Sequence, residues 1–404
     1  MLRSVSQRLL GASTPLLTPR QTYKNLVVSD TLKQLECQCE QYTPPRRPSQ
    51  KVTVVGAGSD VGRIACLFLK QQQVVKILAM YDEIPARKVL GAAHDLAHID
   101  TTAAVQAFQG RAYLKKALYD ADVVLICGGC YVMPPMCNTL DRDLFFQNMQ
   151  FVRTVCLACA HFCPQAIICV QTPPVDCNFT LCKHTLKQYR VYDKRKLLGV
   201  NSINAMRANQ LYSAIVDTDP TGSVVPVVCG TGRCTRVPVF SATKSYYCIP
   251  PKQLPCLVRL VREADEIICR VKSNNEQGHL SIGFSTARCV VSVMSGLIGK
   301  PSFVDSALVE QDDPGACYGM KICSCPLKMG KSGIQEYMIP KLNDEEKALL
   351  EDSKCDFNDM LNLGRCYAVG DEYQVNPCKF CPCYIPPPCE TCKPCRPYKK
   401  RDSS

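Results

Sequence analysis

The spacing of apolar positions along this chain changes in a regular order. Lys51-Val52-Thr53-Val54-Val55 is a short β-branched run that fits a strand buried on both faces. Ile64-Ala65-Cys66-Leu67-Phe68-Leu69 then forms an apolar helical face, and Val75-Lys76-Ile77-Leu78-Ala79-Met80-Tyr81 a second strand. Asp122–Cys127 and Ala166–Val170 read as further buried strands. Residues 141–163 between them place Leu144, Phe145, Met149, Val152 and Cys156 on one side of a helix. Strands alternating with helices across 51–200 predict a doubly wound parallel sheet. Beyond it the order changes. Helices are expected at 203–216, 251–273, 278–298 and 343–362, and strands at Val224–Val228, Val237–Phe240, 303–309 and 316–325. That mixture describes an α+β unit.

Gly56-Ala57-Gly58-Ser59-Asp60-Val61-Gly62 joins the first strand to the first helix. Glycines in such a turn allow a tight bend and a close approach of backbone to a pyrophosphate, and the following helix N-terminus favours an anion. Asp82 ends the second strand, twenty residues after Gly62. An acid there can accept both hydroxyls of an adenosine ribose and would repel a 2′-phosphate. Gly56, Gly58, Gly62 and Asp82 therefore point to NAD rather than NADP. The other reading of these residues is an α/β turn without a ligand. The expected fold class is α/β, with a Rossmann doubly wound parallel sheet at 51–196 and a mixed α+β domain at 197–362.

Lys51–Gly62, Tyr81-Asp82, Ala93–Asp100, Asp143-Leu144-Phe145, Asn148, Cys163–Val170, Arg207-Ala208-Asn209, Val225–Val228 and Leu280-Ser281-Ile282 follow one another in a familiar order. On these stretches the chain resembles the lactate/malate dehydrogenase family, its mitochondrial malate dehydrogenases most of all. The resemblance implies a fold that interconverts malate and oxaloacetate with NAD and assembles as a dimer. It also implies cofactor contacts at Gly56, Gly58, Gly62, Asp82, Asn148 and Ile282, the last standing where the family has a methionine.

The family's chemistry needs a base that titrates near neutral pH, a carboxylate that orients it, guanidinium groups that grip two substrate carboxylates, and a closing loop. In the family's Gly-Gly-His-Ala-Gly pattern this chain reads Cys229-Gly230-Thr231-Gly232-Arg233, which puts Thr231 at the base position. The family's Asp-x-x-Arg is here Asn204-Ala205-Met206-Arg207. Arg207 keeps the arginine and shares a helical face with position 204. Asn204 can hydrogen-bond but cannot stabilise an imidazolium. Val132 stands at the first loop arginine, in a loop about three residues longer than the family's, and Arg142 is the candidate for the second. The Asn-Pro-Val-Asn turn becomes Pro173-Pro174-Val175-Asp176, and a carboxylate at Asp176 would repel an anionic substrate. Ser59 replaces the middle glycine of the fingerprint. The histidines present are His94, His98, His161, His184 and His279, of which His279 is the candidate replacement base. The expectation is a malate dehydrogenase-family pseudoenzyme, structural or regulatory, with an NAD-dependent malate dehydrogenase of altered residues as the alternative.

The ends carry separate signals. Residues 1–25 contain Arg, Ser, Thr and Leu and no acid, which resembles a mitochondrial transit peptide and points to the matrix. Residues 26–50 read as a linker. Of 29 cysteines, Cys66, Cys127, Cys156, Cys169 and Cys269 fall in expected core elements as small apolar fillers. The tail at 363–404 sets Cys378, Cys381, Cys389 and Cys392 among prolines, a composition that cannot form a core. Three readings stay open: cross-links between chains, a tetrahedral zinc site, or inert disorder. A Cys/Pro-rich tail is similar to structural proteins of sperm tails. Partners expected are a second copy, or an active malate dehydrogenase as a heterodimer. The net charge of +12 lies largely at the ends, with no aromatic-interleaved basic stripe, so nucleic acid is excluded as a main partner. No run is expected to be long and apolar enough to span a membrane.

Overall fold

The computed structural model describes residues 48–131, 141–273 and 276–369. The expected leader, almost all of the linker, the loop segment 132–140 with Val132, and Cys378, Cys381, Cys389 and Cys392 lie outside the described residues.

β1 (Lys51–Val55) is buried throughout. Its two-residue alternation sends Val52 and Val54 into one apolar core and Val55 into the other, on opposite faces of the sheet. α1 (Asp60–Lys70), β2 (Ile77–Asp82), α2 (Val89–Ala97), β3 (Ala104–Gln109), α3 (Leu114–Leu118), β4 (Val123–Ile126), α4 (Asp141–Phe162), β5 (Ile167–Val170), α5 (Val175–Gln188) and β6 (Leu197–Val200) follow. The strands are parallel in the order β3-β2-β1-β4-β5-β6. The winding direction reverses between β1 and β4, so a crevice opens beyond their carboxyl ends, where sheets of this kind bind ligands.

The second half comprises α6 (Ser202–Val216), β7 (Val227–Cys229), β8 (Arg236–Pro238), α7 (Leu254–Val271), α8 (His279–Leu297), β9 (Phe303–Glu310), β10 (Ile322–Gly330), β11 (Gly333–Tyr337) and α9 (Asp344–Val369). β9 pairs antiparallel with β6, and β10, β7 and β8 continue the sheet outward. The Rossmann half and the α+β half therefore share one sheet of eleven strands among the described residues.

Three expectations shift. The strand expected at 316–325 begins only at Ile322. Residues 314–320 form a turn instead, with Tyr318 and Gly319 at positive φ and the N–H groups of Cys317 and Gly319 donating to Pro314 O. The last helix continues past residue 362 to Val369, into the stretch assigned to the tail, because Leu363, Cys366 and Ala368 still bury on the core. Helix α8 has the length and apolar content that crossing a membrane requires, contrary to the expectation that no such run exists. Its apolar residues pack in this fold against α1: a Cβ added at Gly283 would lie 2.7 Å from Ile64 Cβ. Cys66, Cys127, Cys156 and Cys169 are fully buried, as fillers should be. Cys269 is buried too, but is disulfide-bonded.

The β1–α1 turn tolerates no side chain at its last glycine. A Cβ on Gly62 would lie 2.2 Å from Gly56 O and 2.8 Å from Ala57 Cα, and both are backbone atoms that cannot swing away. Gly62→Ala is expected to cost about 1–3 kcal/mol in a urea titration with unchanged slope. A wild-type midpoint would show that the turn yields.

Candidate functional site

The crevice is assembled from three turns. Gly56 has φ +95°, and a Cβ on it would lie 2.2 Å from Gly128 Cα, so the turn after β1 and the turn after β4 meet glycine to glycine. Asp82 closes β2 and is 2% exposed. Its two oxygens accept the Gly58 and Ile84 N–H groups, each at 3.0 Å, and Arg87 Nη1 stands 3.5 Å from Oδ2. Arg87 also donates to Gly129 O at 3.2 Å, bridging the ends of β2 and β4. The glycine cradle and the anchored carboxylate fit the adenosine end of a dinucleotide. NAD would supply the hydride acceptor, and Asp82 would accept its ribose hydroxyls. Asn148 lies behind this surface. Its amide donates to Cys130 O at 2.7 Å and to Pro173 O at 2.6 Å, and accepts from Cys130 N at 2.7 Å, so it ties the turns after β4 and β5 together. Ile282, on α8, is 6% exposed and belongs to the core on that face of the sheet.

The substrate half is built from α5, α6, α7 and the turn between β7 and β8. Asp176 sits in the first turn of α5 and is buried. Its Oδ1 accepts the Thr231 N–H at 2.9 Å and the Thr231 hydroxyl at 2.8 Å, while Oδ2 takes the Thr235 hydroxyl at 3.0 Å and the Gly232 N–H at 3.4 Å. The expectation that Asp176 faces an incoming substrate needs correcting, because its oxygens are turned onto the 231–235 turn. Burial pushes this carboxyl above its ordinary range, and the hydrogen bonds from Thr231, Thr235 and Gly232 oppose that shift without cancelling it.

Asn204 donates to Asn201 Oδ1 at 2.6 Å and to Thr231 O at 3.1 Å, and its own oxygen accepts from Arg236 Nη1. Arg236 also donates to Gly232 O at 3.0 Å and to Asp265 Oδ2 at 2.6 Å. The other oxygen of Asp265 takes Arg207 Nη2 at 2.7 Å. One carboxylate from α7 thus bridges the two arginines. Burial alone would raise its pKa, but Arg207 and Arg236 hold it well below the usual carboxylate range. Arg207 Nε and Nη1 remain buried without a hydrogen-bond partner.

Arg142 is half-buried in the first turn of α4, close enough to Cys177 for its charge to bear on that thiol. Its neighbour Asp141 stands at the mouth of the site, with Oδ2 3.1 Å from where a Gly232 Cβ would be. Asp141 keeps one face in solvent, yet lost hydration on its other side and the charges of Asp176, Asp265 and Asp356 push its carboxyl up to about 6 against the pull of Arg236. His279 is on the cofactor side, 3.6 Å from Asp60, and bonds to none of Thr231, Asn204, Asp176 or Arg207. Thr231 bonds to both Asn204 and Asp176, and Arg207 connects to Asn204 through Asp265 and Arg236. Arg236, Asp265 and Asp141 were missed. Arg236 carries a usable signal, a lone arginine opening an apolar strand, whereas Asp265 looks like any surface acid of a charged helix.

A family model described as lactate/malate dehydrogenase, NAD binding domain, matches residues 50–199. Human mitochondrial malate dehydrogenase is 33% identical over 304 residues, covering 75% of this chain and 87% of its own length. The bovine protein of the same name is 33% identical over 303 residues, covering 74% and 87%. Among solved structures, lactate dehydrogenase from Eimeria maxima with NADH and oxamate superposes with TM-score 0.67 at 20% identity, covering 82% of this chain and 98% of that one. Apo malate dehydrogenase from Picrophilus torridus gives TM-score 0.68 at 17% identity, covering 80% and 99%.

Proposed function

This chain belongs to the lactate/malate dehydrogenase family, and from that premise we propose that it is a member that keeps the NAD crevice and has lost the hydride-transfer chemistry, acting as a structural or regulatory protein of mitochondria. The observation that carries this reading is the bridge from Asp265 to Arg207 and Arg236. A dicarboxylate substrate is gripped best by an unengaged guanidinium, and the one arginine kept from the family motif already shares the chain's own carboxylate with Arg236. Thr231 has no acid–base function near neutral pH, and its hydroxyl and amide are both held by Asp176. Asn204 has no charge with which to support an imidazolium.

The mitochondrial setting is carried over from relatives named as mitochondrial malate dehydrogenases. A homodimer, or a heterodimer with an active malate dehydrogenase, is the assembly proposed, with cross-links through the cysteine-rich tail as a further means of association. Co-purification of mixed dimers tests the heterodimer.

The direct test pairs NAD(H) titration by calorimetry with oxaloacetate-dependent NADH oxidation on the same purified full-length protein. Binding without turnover is the expected result. Turnover near that of ordinary malate dehydrogenases would overturn the reading. A second reading, an active enzyme with altered residues, is favoured by one observation: Asp141 places a carboxyl that titrates near 6 beside Gly232. If turnover is found, Asp141→Asn should abolish it.

A further inference from the structure

A second carboxylate, Asp60, borders an anion seat, this time in the cofactor crevice. The N-termini of α1 and α8 lie side by side there. A helix N-terminus attracts the pyrophosphate of a dinucleotide through its unpaired N–H groups and positive field. In this chain both attractions are answered in part at α1 from within. Ser59 caps α1: its hydroxyl oxygen accepts the Gly62 N–H at 3.1 Å and its proton goes to Gly56 O at 2.7 Å. Asp60 is the first residue of α1, and its carboxylate stands 3.6 Å from Nδ1 of His279, the first residue of α8. Tyr131, from the segment after β4, sets its ring edge-on to His279 and donates its hydroxyl to Cys127 O at 3.0 Å. Asp60 is therefore grouped with the segments that border the crevice on its phosphate side. Burial lowers the His279 pKa below the ordinary imidazole value, so near pH 8 the ring is neutral and leaves the charge of Asp60 in place.

The adenosine end is built the other way. Asp82 is fixed by two backbone amides, and the positive charge of Arg87 stands 3.5 Å from it, with Arg63 Nη2 donating to Arg87 O at 2.8 Å.

We propose that this crevice selects adenosine over its phosphorylated derivatives, with Asp82 receiving the ribose hydroxyls and Asp60 acting as the determinant that disfavours a pyrophosphate. The inference rests on the reading of the crevice as a dinucleotide site and states which part of that ligand it still favours. A site with free helix N-termini gains affinity with each added phosphate. Here the charge of Asp60 works against that gain.

The test is calorimetric titration of the full-length protein and of Asp60→Asn with adenosine, ADP and NADH at pH 8. Wild-type protein should bind adenosine at least as tightly as ADP. Asp60→Asn should tighten ADP and NADH by about tenfold or more and leave adenosine nearly unchanged. Added salt should weaken ADP binding less in wild type than in the variant. Asp60 is largely exposed, and melting curves of Asp60→Asn and Asp60→Gly check that the fold is kept. Wild-type protein that prefers ADP to adenosine, or an Asp60→Asn variant that does not tighten ADP, overturns this inference and leaves NAD binding standing. Failure of all three ligands to bind either protein overturns both this inference and the dinucleotide reading.

Discussion

Thr231→His combined with Asn204→Asp is expected to leave malate turnover undetectable. The two substitutions restore the family's base and orienting acid in name, but not the surroundings that make them work. An imidazole at 231 would meet Asp176, whose carboxylate now holds the amides of 231 and 232 and the hydroxyl of Thr235. An aspartate at 204 would be drawn to Arg236, which already bonds the amide oxygen there. Arg207 would stay engaged by Asp265. Removing one general base typically costs about 10²–10⁴ in rate, and groups that act as a unit do not recover singly. Oxaloacetate-dependent NADH oxidation by the double variant is therefore expected at the wild-type background. A rise of about 10² or more over that background would mean that two side chains alone silence the site and that the arginine bridge is incidental.

Asp265→Ala is expected to be among the most destabilising single changes in the protein. Arg236 and Arg207 have side chains 4% and 10% exposed, and Asp265 is the carboxylate between them. Removing one partner of a buried ion pair leaves uncompensated charge and costs about 3–5 kcal/mol. Here two guanidinium groups lose their carboxylate, although the partial exposure of Asp265 admits some water, so about 3 kcal/mol is the expected loss at pH 7. Asp265→Asn should fall short of wild type as well, because the amide keeps the shape without the charge. The pH dependence has a definite sign. Arg207 and Arg236 hold the folded-state pKa of Asp265 below its unfolded value, so its contribution is complete above the ordinary carboxylate pKa and fades as pH falls below about 4. Urea midpoints of wild type and variant should therefore lie far apart at pH 7 and converge in acid. A difference under about 1 kcal/mol at pH 7 would show that the two arginines find other partners.

Asp176 has the opposite linkage. Burial raises its carboxyl, so the stability tied to it is present at low pH and lost as pH rises through the folded-state value. Asp265 and Asp176 differ because one is faced by two cations and the other only by neutral donors.

Much of the architecture was legible before any coordinates. The runs at 51–55, 122–127 and 166–170 are continuous apolar strands, and the order of strand, glycine turn, helix, strand and acid is local information. Strands β3 and β11 were harder to read. β3 is an edge strand, nowhere fully buried, and β11 is a five-residue return strand fixed by its pairing with β10. The turn at 314–320 looked like a strand because its cysteine, tyrosine and methionine have strand-like composition, while its positive-φ positions are a backbone property.

The sequence by itself determined that this chain carries a parallel dinucleotide-type sheet, that Gly56, Gly62 and Asp82 frame its crevice, and that Thr231 and Asn204 replace a base and an acid. The sheet and its crevice follow from residue type, period and spacing along the chain, whereas the places of Thr231 and Asn204 are what the family resemblance implies. Only the tertiary structure decided what became of the charges left behind. Arg207 and Asp265 are separated by 58 positions, Arg236 and Asn204 by 32, and Thr231 and Asp176 by 55. Whether an arginine waits for a substrate or is answered by its own chain depends on which carboxylate the packing of α6 against α7 brings within 3 Å. That proximity is created by folding and leaves no periodic trace in the sequence.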